Sequence, residues 1–166
     1  MYREELKVLD CTIRDGGLIN NYSFSDEFVK AIYAATAAAG VDYMEIGKNL
    51  CESDEFTREK YGKWNFCNED DIKPVVESYT GDYHPTLAVM YDVGRVNTDT
   101  LLPADQSVVG MIRTACYVHQ IDAGLDLVKR CKDQGYETTL NIMAPSAAIE
   151  TDLIQGLQDV DAVPEV

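Results

Sequence analysis

An arginine and an aspartate stand side by side near the start of the chain, in the sequence L-D-C-T-I-R-D-G-G-L of residues 9–18. The guanidinium of Arg14 can stabilise a negative charge that develops during a reaction, and the carboxylate of Asp15 can bind a hard divalent cation. Gly16 and Gly17 follow directly and predict a tight turn of the backbone. A strand with a purely structural role does not need two adjacent charged residues followed by two glycines. The combination therefore indicates a strand that places charged groups at a functional site.

The residues before this pair predict the strand itself. Residues 6–13 are mostly apolar, which is typical of a buried strand. Because successive side chains point to opposite faces, we expect Asp10, Thr12 and Arg14 to share a face that points into the fold. Asp15 would then lie at the carboxyl end of the strand, which is where chemistry occurs in a parallel barrel.

Polar side chains also occur in three later strand-like stretches. Glu45 lies in M-E-I-G, Arg113 in M-I-R-T-A-C-Y and Asn141 in T-L-N-I-M. Taken singly, each is more simply explained as a solvated or salt-bridged group, and Arg113 with Glu45 could form an internal ion pair. Four strands that each place a polar group on an interior face are harder to explain in this way, because unpaired buried charges are costly. We therefore expect a ligand or a metal ion to complete the set.

Strand-like and helix-like segments alternate along the whole chain. The sequence predicts strands at residues 6–13, 41–47, 85–93, 108–118 and 136–143, and helices at residues 26–39, 70–78, 122–134 and 149–158. In the first of these helices, Ser25 is a suitable N-cap and Gly40 stands just past the end. The expected buried face of that helix consists of apolar residues at helical spacing, namely Phe28, Ile32, Ala35 and Ala39.

This alternation predicts an α/β fold with a parallel sheet and right-handed crossovers. An open dinucleotide-binding sheet loses support, since no G-x-G-x-x-G sequence follows any strand. The spacing of the units suits a (β/α)8 TIM barrel of about 250 residues, of which a chain of 166 residues would supply about five parallel strands. We therefore interpret residues 1–166 as the N-terminal portion of a single TIM-barrel domain whose C-terminal strands are missing.

The formal net charge of −15 limits the classes of partner. An acidic chain repels phosphate backbones and anionic lipid, so neither nucleic acid nor a membrane is an expected partner. The five cysteines are scattered without a C-x-x-C pair, which indicates a reducing compartment. No stretch is typical of a signal peptide or a membrane span, so we expect a cytoplasmic location. A small molecule is the expected partner, and the sequence leaves homo-oligomerisation open.

The motifs together resemble a known enzyme family. L-D-C-T-I-R-D-G-G resembles the D-x-T-x-R-D-G signature of the DRE-TIM metallolyases, the HMG-CoA lyase-like superfamily. The segments M-E-I-G, I-R-T-A-C-Y and T-L-N-I-M match further parts of the family pattern in the same order. These TIM-barrel enzymes include 3-hydroxy-3-methylglutaryl-CoA lyase, isopropylmalate synthase and 4-hydroxy-2-oxovalerate aldolase, and the pattern is most similar to that of the last.

The resemblance implies a metal-dependent aldolase or lyase that acts on a 2-oxo acid or a related carbonyl compound through an enolate. It implies that Asp15 binds a divalent metal ion, magnesium or manganese, and that Arg14 stabilises the enolate. It also implies that Glu45 helps to order the surroundings of the metal or its water. The expected substrate-binding residues are Thr12, Arg113 and Asn141.

The sequence departs from the family pattern in two respects. The remaining metal ligands of the family are an H-x-H pair on a late strand, which this sequence lacks, so we expect these residues alone to be inactive. The aldolases of the family place a catalytic histidine three residues after the metal-binding aspartate, where this chain has Leu18. A leucine cannot act as a general base, so the base would come from elsewhere, with His119 and Tyr117 as candidates, or the substrate would differ.

Two alternatives to the aldolase therefore stay open. One is a Claisen-type acyltransferase that resembles isopropylmalate synthase. The other is a non-catalytic barrel that keeps the geometry of the site but only binds a small acid or a partner.

Overall fold

The computed structural model describes residue 3, residues 5–96 and residues 98–163, and it has an α/β architecture. The strands in this part of the chain are β1 (Leu9–Asp10), β2 (Tyr43–Lys48), β3 (Thr86–Asp92), β4 (Val109–Tyr117) and β5 (Glu137–Met143). They form one parallel sheet in the order β1-β2-β3-β4-β5. Parallel strands in chain order are those of a TIM barrel, so the expected fold class is confirmed.

Helices connect these strands. Within the described residues they are α1 (Thr12–Asn20), α2 (Asp26–Ala38), α3 (Arg58–Tyr61), α4 (Glu69–Val76), α5 (Ile121–Asp133) and α6 (Glu150–Asp161). Short 3-10 turns cover Lys63–Asn65, Thr98–Thr100, Ala104–Gln106, Val118–Gln120 and Pro145–Ala147. All the expected elements except the first strand are found, with ends that differ by three residues at most. None of the helices in the described part is both long and apolar enough to cross a lipid bilayer.

The chain divides into two compact units, Met1–Val89 and Met90–Val166. The boundary falls within β3, so that Asp92 belongs to the second unit. The expectation of a single domain over residues 1–166 stays a prediction.

The first strand is much shorter than the sequence predicts. β1 contains only Leu9 and Asp10, and the chain then turns into α1. The carboxylate of Asp10 accepts hydrogen bonds from the amide of Thr12 (3.1 Å) and from its hydroxyl (2.8 Å). These local bonds offer the backbone an alternative to the strand ladder. The expected strand face with Thr12 and Arg14 is therefore wrong, because both residues lie in the first turn of a helix.

The expected glycine turn after Asp15 is also wrong. Gly16 and Gly17 both lie inside α1 and neither has a positive φ. Gly17 is needed for another reason: a Cβ atom at this position would overlap the ring of Tyr22, which is itself buried. The second glycine of the motif therefore allows Tyr22 to pack directly against the backbone of α1.

Helix α2 begins and ends as expected, but its buried face differs. The side chain of Ser25 accepts a hydrogen bond from the amide of Phe28 (3.3 Å), and Gly40 beyond the end has a φ of 68°. The expected face is wrong, because Phe28 is 44% exposed and stacks on Phe24 instead. The residues that α2 buries are Val29, Tyr33, Thr36 and Ala37. Tyr33 and Val29 remove more apolar surface from water than the alanines of the expected face.

The chain beyond β2 folds back over the carboxyl end of that strand. The amide of Cys67 donates to the carbonyl of Lys48 (2.8 Å), and Trp64 between them in the chain has no exposed surface. A Cβ atom on Gly47 would overlap the carbonyl oxygen of Trp64, so only glycine fits at this position of β2. Glu45 and Gly47 share one face of the strand, and this returning segment covers that face.

The core of the second unit lies between its strands and α5. Cys116 from β4 packs with Ile121 and Leu125, and the partly buried residues against them are Val93, Val118, Leu140, Ile142, Val160 and Val163. In β4 and β5 the paired residues Cys116 and Ile142 both face this core. Because side chains alternate along a strand, the residues directly before Cys116 and Ile142, which are Ala115 and Asn141, face away from α5.

Candidate functional site

Arg14 and Glu45 meet in the first unit, although they come from a helix and a strand. Arg14 lies in the first turn of α1, and its Nε atom is 3.6 Å from Oε2 of Glu45 in β2. The Nη1 atom of Arg14 also forms an ion pair with the neighbouring carboxylate of Asp15. The side chain of Glu45 is fully buried, that of Arg14 is 18% exposed and that of Asp15 is 58% exposed. The guanidinium is thus fixed by one buried and one exposed carboxylate.

A thiol also contacts the buried carboxylate. The Sγ atom of Cys11 donates to Oε2 of Glu45 at 3.5 Å, the same oxygen atom that faces Arg14. Cys11 is the residue from which α1 begins, and its carbonyl accepts from the amide of Asp15 (2.8 Å). The start of α1 is therefore attached to Glu45 at two neighbouring points, which fixes the direction of the Arg14 side chain.

The surroundings of Arg14 keep its side chain charged. Burial acts to lower the pKa of Arg14, but the negative charges of Glu45 and Asp15 outweigh burial, so the pKa is raised above its ordinary value. An arginine with a raised pKa carries its positive charge at every pH at which a protein works. The site therefore presents a permanent, oriented cation next to an exposed carboxylate.

The described residues do not complete a metal site. They contain no group of three or more His, Cys, Asp or Glu side chains arranged to hold an ion. Asp15 offers an exposed carboxylate, which suits magnesium or manganese as a single ligand. The neighbouring carboxylates are engaged elsewhere, since Asp10 binds Thr12 and Glu45 binds Cys11 and Arg14. Metal binding by Asp15 thus stays a prediction.

A second polar group of residues lies on the second unit. In the register of β4 and β5, Arg113 pairs with Thr139 and Ala115 pairs with Asn141. All of these side chains lie on the face directed away from α5, and the hydroxyl of Thr139 donates to the side-chain oxygen of Asn141 (3.2 Å). The expectation that Arg113 and Asn141 share a face is thus met within this unit. Their role in substrate binding stays a prediction.

Asp92 belongs to the same face and was not identified from the sequence. The amide of Val93 donates to the carbonyl of Ala115 (2.9 Å), and in a parallel pair this bond places Asp92 beside Ala115. Asp92 is only 8% exposed, and its Oδ2 atom is 4.0 Å from Nη1 of Arg95. An acidic residue at the end of an apolar strand is the signal that singled out Glu45, and the same signal could have identified Asp92.

The remaining candidates occupy less informative positions. The hydroxyl of Thr12 donates to Asp10, so that this side chain is part of the hydrogen bonding at the start of α1. Leu18 is 67% exposed on the same helix as Asp15. In the second unit the ring of His119 stacks on that of Tyr117, with centroids 5.8 Å apart. None of these contacts assigns a general base.

The remaining histidine supports the core. His84 is exposed, as its position before a proline indicates, but its Nδ1 atom lies 2.7 Å from the hydroxyl of Tyr33. Burial raises the pKa of Tyr33, and the nearby Tyr79 adds to this effect. His84 thus provides the hydrogen-bond partner that the hydroxyl of Tyr33 needs.

The chain is similar to a solved structure described as the "N-terminal domain of a putative aldolase from Bacteroides vulgatus". The two sequences are 29% identical, the TM-score is 0.75, and the match covers 95% of this chain and 52% of the other. The chain thus spans about half the length of the structure it matches. No protein-family model and no curated protein matches the sequence.

Proposed function

We propose that the protein contributes to an aldolase-type lyase of the DRE-TIM metallolyase kind, which cleaves or forms a carbon–carbon bond in a 2-oxo acid through an enolate. The solved structure with which it shares 29% identity over 95% of the chain is described as part of a "putative aldolase", and this likeness supports the proposal. The D-x-T-x-R-D-G motif supports it independently, since its arginine and aspartate lie together at the start of α1.

The observation that carries the proposal is the fixed position of the Arg14 guanidinium. Cleavage of an aldol moves an electron pair onto a carbonyl oxygen, which becomes the negative oxygen of an enolate. A cation that is already oriented stabilises this charge without a cost for reorganisation in the transition state. The buried Glu45 supplies the orientation, since its Oε2 atom faces Nε of Arg14 at 3.6 Å.

The other residues have the following proposed roles. A divalent metal ion, magnesium or manganese, would supply Lewis-acid polarisation of the substrate carbonyl, with Asp15 as one of its ligands. Glu45 is a positioning residue, because it acts through Arg14. The proposed substrate-binding residues are Thr12, Arg113 and Asn141.

Cleavage can be tested with the full-length protein and a panel of 4-hydroxy-2-oxo acids, with magnesium or manganese present. Breaking the bond between the third and fourth carbons of such an acid releases pyruvate, which lactate dehydrogenase reports through oxidation of NADH. The variant Arg14→Lys keeps a positive charge opposite Glu45 but loses the fork of N–H donors, and we expect kcat to fall about a hundredfold or more. The surface variant Arg130→Lys on α5 is the matched control and should retain activity.

The outcomes separate the competing functions. Absence of pyruvate release with every acid and both metals would overturn the aldolase. Thermal protection of the full-length protein by an acyl-CoA, without cleavage, would instead favour the Claisen-type acyltransferase. Equal rates for Arg14→Lys and wild type would remove Arg14 from the mechanism.

The metal can be tested separately from catalysis. In the full-length protein, Asp15→Ala should abolish magnesium and manganese binding in a calorimetric titration, while the exposed control Asp54→Ala should leave it unchanged. Unchanged affinity in Asp15→Ala would exclude this residue as a ligand.

A further inference from the structure

We infer that Cys11 is a positioning residue for Arg14, because its thiol helps to hold the buried carboxylate of Glu45 that faces the guanidinium. The contact between the thiol and the carboxylate is independent of the proposed function. Its consequence for catalysis rests on that function, in which Arg14 stabilises an enolate. The inference concerns the first unit alone.

The first argument is the register of the two strands. Asp10, the last residue of β1, pairs with Met44 in the parallel ladder. The next residue on each side is Cys11 and Glu45, so these two come level with each other where β1 ends. The thiol donates to Oε2 of Glu45 at 3.5 Å. The sheet register thus sets this contact, and the short cysteine side chain orders few torsions to make it.

The second argument is that the cysteine side chain does not cap its own helix. Cys11 directly precedes the first residue of α1, a position at which Ser, Thr, Asn or Asp usually accepts from a helix amide. The side chain of Cys11 makes no such bond to α1 and donates to β2 instead. Its carbonyl meanwhile accepts from the amide of Asp15 (2.8 Å), so one residue joins α1 to Glu45.

The third argument is that the thiol and the guanidinium meet the same oxygen atom. Oε2 of Glu45 lies 3.5 Å from Sγ of Cys11 and 3.6 Å from Nε of Arg14. A fully buried carboxylate needs partners that favour its charged form, and a thiol donor is one of them. Without the thiol this oxygen has one constraint fewer, and the guanidinium that faces it is held less tightly.

The first experiment follows the guanidinium without any need for catalysis. The Nε atom of Arg14 is buried, so exchange of its N–H proton with water reports on how firmly the group is held. NMR on the ¹⁵N-labelled full-length protein measures this exchange, and Arg14→Lys identifies the signal by its loss.

Three variants of Cys11 separate the hydrogen bond from the volume of the sulfur atom. Cys11→Ala and Cys11→Val both lack a donor but differ in size, and in both we expect exchange about three- to tenfold faster than in wild type, the factor for one weak hydrogen bond. Cys11→Ser keeps a donor and should exchange nearly as slowly as wild type. Cys51→Ala removes an exposed thiol and is the matched control, with no change expected.

The second experiment measures the consequence for the proposed reaction. In the pyruvate-release assay, Cys11→Ala should lower kcat about three- to tenfold and leave KM nearly unchanged, because the enolate charge that Arg14 meets develops only in the transition state. Cys11→Ser should restore kcat. In the Arg14→Lys background, which has already lost the fork of donors, adding Cys11→Ala should change kcat little, because the thiol acts through the orientation of that fork.

The remaining outcomes would overturn the inference. Wild-type exchange in Cys11→Ala and Cys11→Val would show that the thiol does not hold the guanidinium, whether or not the protein is active. Normal exchange in Cys11→Val alone would assign the effect to volume instead of hydrogen bonding, and fully additive losses of kcat in the double variant would reject action through Arg14. If wild type releases no pyruvate, the proposed function fails by itself, and the exchange measurements still decide the role of Cys11.

Discussion

The Nε atom of Arg14 lies 3.6 Å from the Oε2 atom of Glu45, so that the first helix and the second strand are joined by an ion pair. The carboxylate has no contact with solvent, whereas the guanidinium keeps a small exposed fraction. A buried carboxylate is tolerated only when partners compensate for its lost hydration. The two motifs R-D and M-E-I-G, which are far apart in the sequence, are therefore one structural unit as well as one candidate site.

Removal of either partner should accordingly be costly. We expect Glu45→Ala to lower the free energy of unfolding by about 3 kcal/mol or more. The substitution removes the buried carboxylate that pairs with Arg14, and it leaves a cavity in its place. Urea denaturation followed by circular dichroism measures this change. Glu45→Gln keeps the shape and loses only the charge, so its effect should be smaller. The exposed Glu27→Ala in α2 is the control, and a loss in Glu45→Ala no larger than in this control would show that the pair is not important for stability.

The two glycines of the motif should respond differently to the same substitution. In Gly17→Ala the new methyl would overlap the buried ring of Tyr22, and we expect a loss of about 1–3 kcal/mol from overpacking. In Gly16→Ala the methyl would meet only the tip of Phe24 at 3.5 Å, which is an ordinary contact. Alanine is also the better helix former, so this variant should gain up to about 1 kcal/mol. Midpoints of thermal unfolding provide the comparison, and equal shifts in the same direction would contradict it.

Most of the fold could be predicted because the ends of its strands and helices coincide with turn-forming or helix-capping residues in the sequence. β3 is a nearly continuous apolar run. Gly135, with a φ of 91°, ends the helix before β5. Ser25 and Gly40 likewise fixed the ends of α2. In each case the local preference and the tertiary packing agree, so that the sequence pattern alone is sufficient.

The first strand could not be predicted because a local hydrogen bond competes with the strand. Residues 6–13 have the composition of a strand, yet Leu6 and Val8 are exposed and only two residues pair with β2. The side chain of Asp10 accepts a hydrogen bond from Thr12, and a helix starts there instead of a longer strand. The alternation of side chains expected for a strand then assigns Thr12 and Arg14 to the wrong face. The helical position of Arg14 still brings it to Glu45, a contact that the sequence did not predict, since Arg113 was the expected ion-pair partner of Glu45.

The cysteines should differ strongly in their rates of alkylation. Burial raises the pKa of the Cys131 thiol to about 12, and burial followed by the charge of Asp71 raises that of Cys67 as well. A thiol needs its thiolate form to react, so a rise of three units above the ordinary value slows alkylation at pH 8 about a thousandfold. We expect iodoacetamide to label the exposed Cys51 first, as measured by peptide mass spectrometry over time.

Denatured protein provides the reference for this labelling. In guanidinium chloride all five thiols are accessible and should react at similar rates. Rapid labelling of Cys67 or Cys131 under native conditions would mean that the surrounding core opens frequently.

Asp42 should make the stability of the first unit depend on pH. Its carboxylate accepts from the amide of Val8 (2.8 Å), and this bond lowers the pKa of Asp42; partial burial acts in the opposite direction, and Lys7 adds to the lowering. A carboxyl group whose pKa is lower in the folded state stabilises the fold at pH values above its unfolded pKa of about 3.9. This stabilisation is lost as the pH falls through the lower, folded pKa.

The substitution Asp42→Asn isolates this effect, because asparagine keeps an acceptor for the amide of Val8 but cannot carry the charge. We expect the difference in unfolding free energy between wild type and Asp42→Asn to be constant from about pH 7 to pH 5, and to shrink towards zero as the pH falls below about 4. Urea denaturation at a series of pH values measures it, with Asp82→Asn in an exposed loop as the control. A difference that grows on acidification would have the wrong sign for a lowered pKa, and it would show that the contact between Val8 and Asp42 does not hold the charged form.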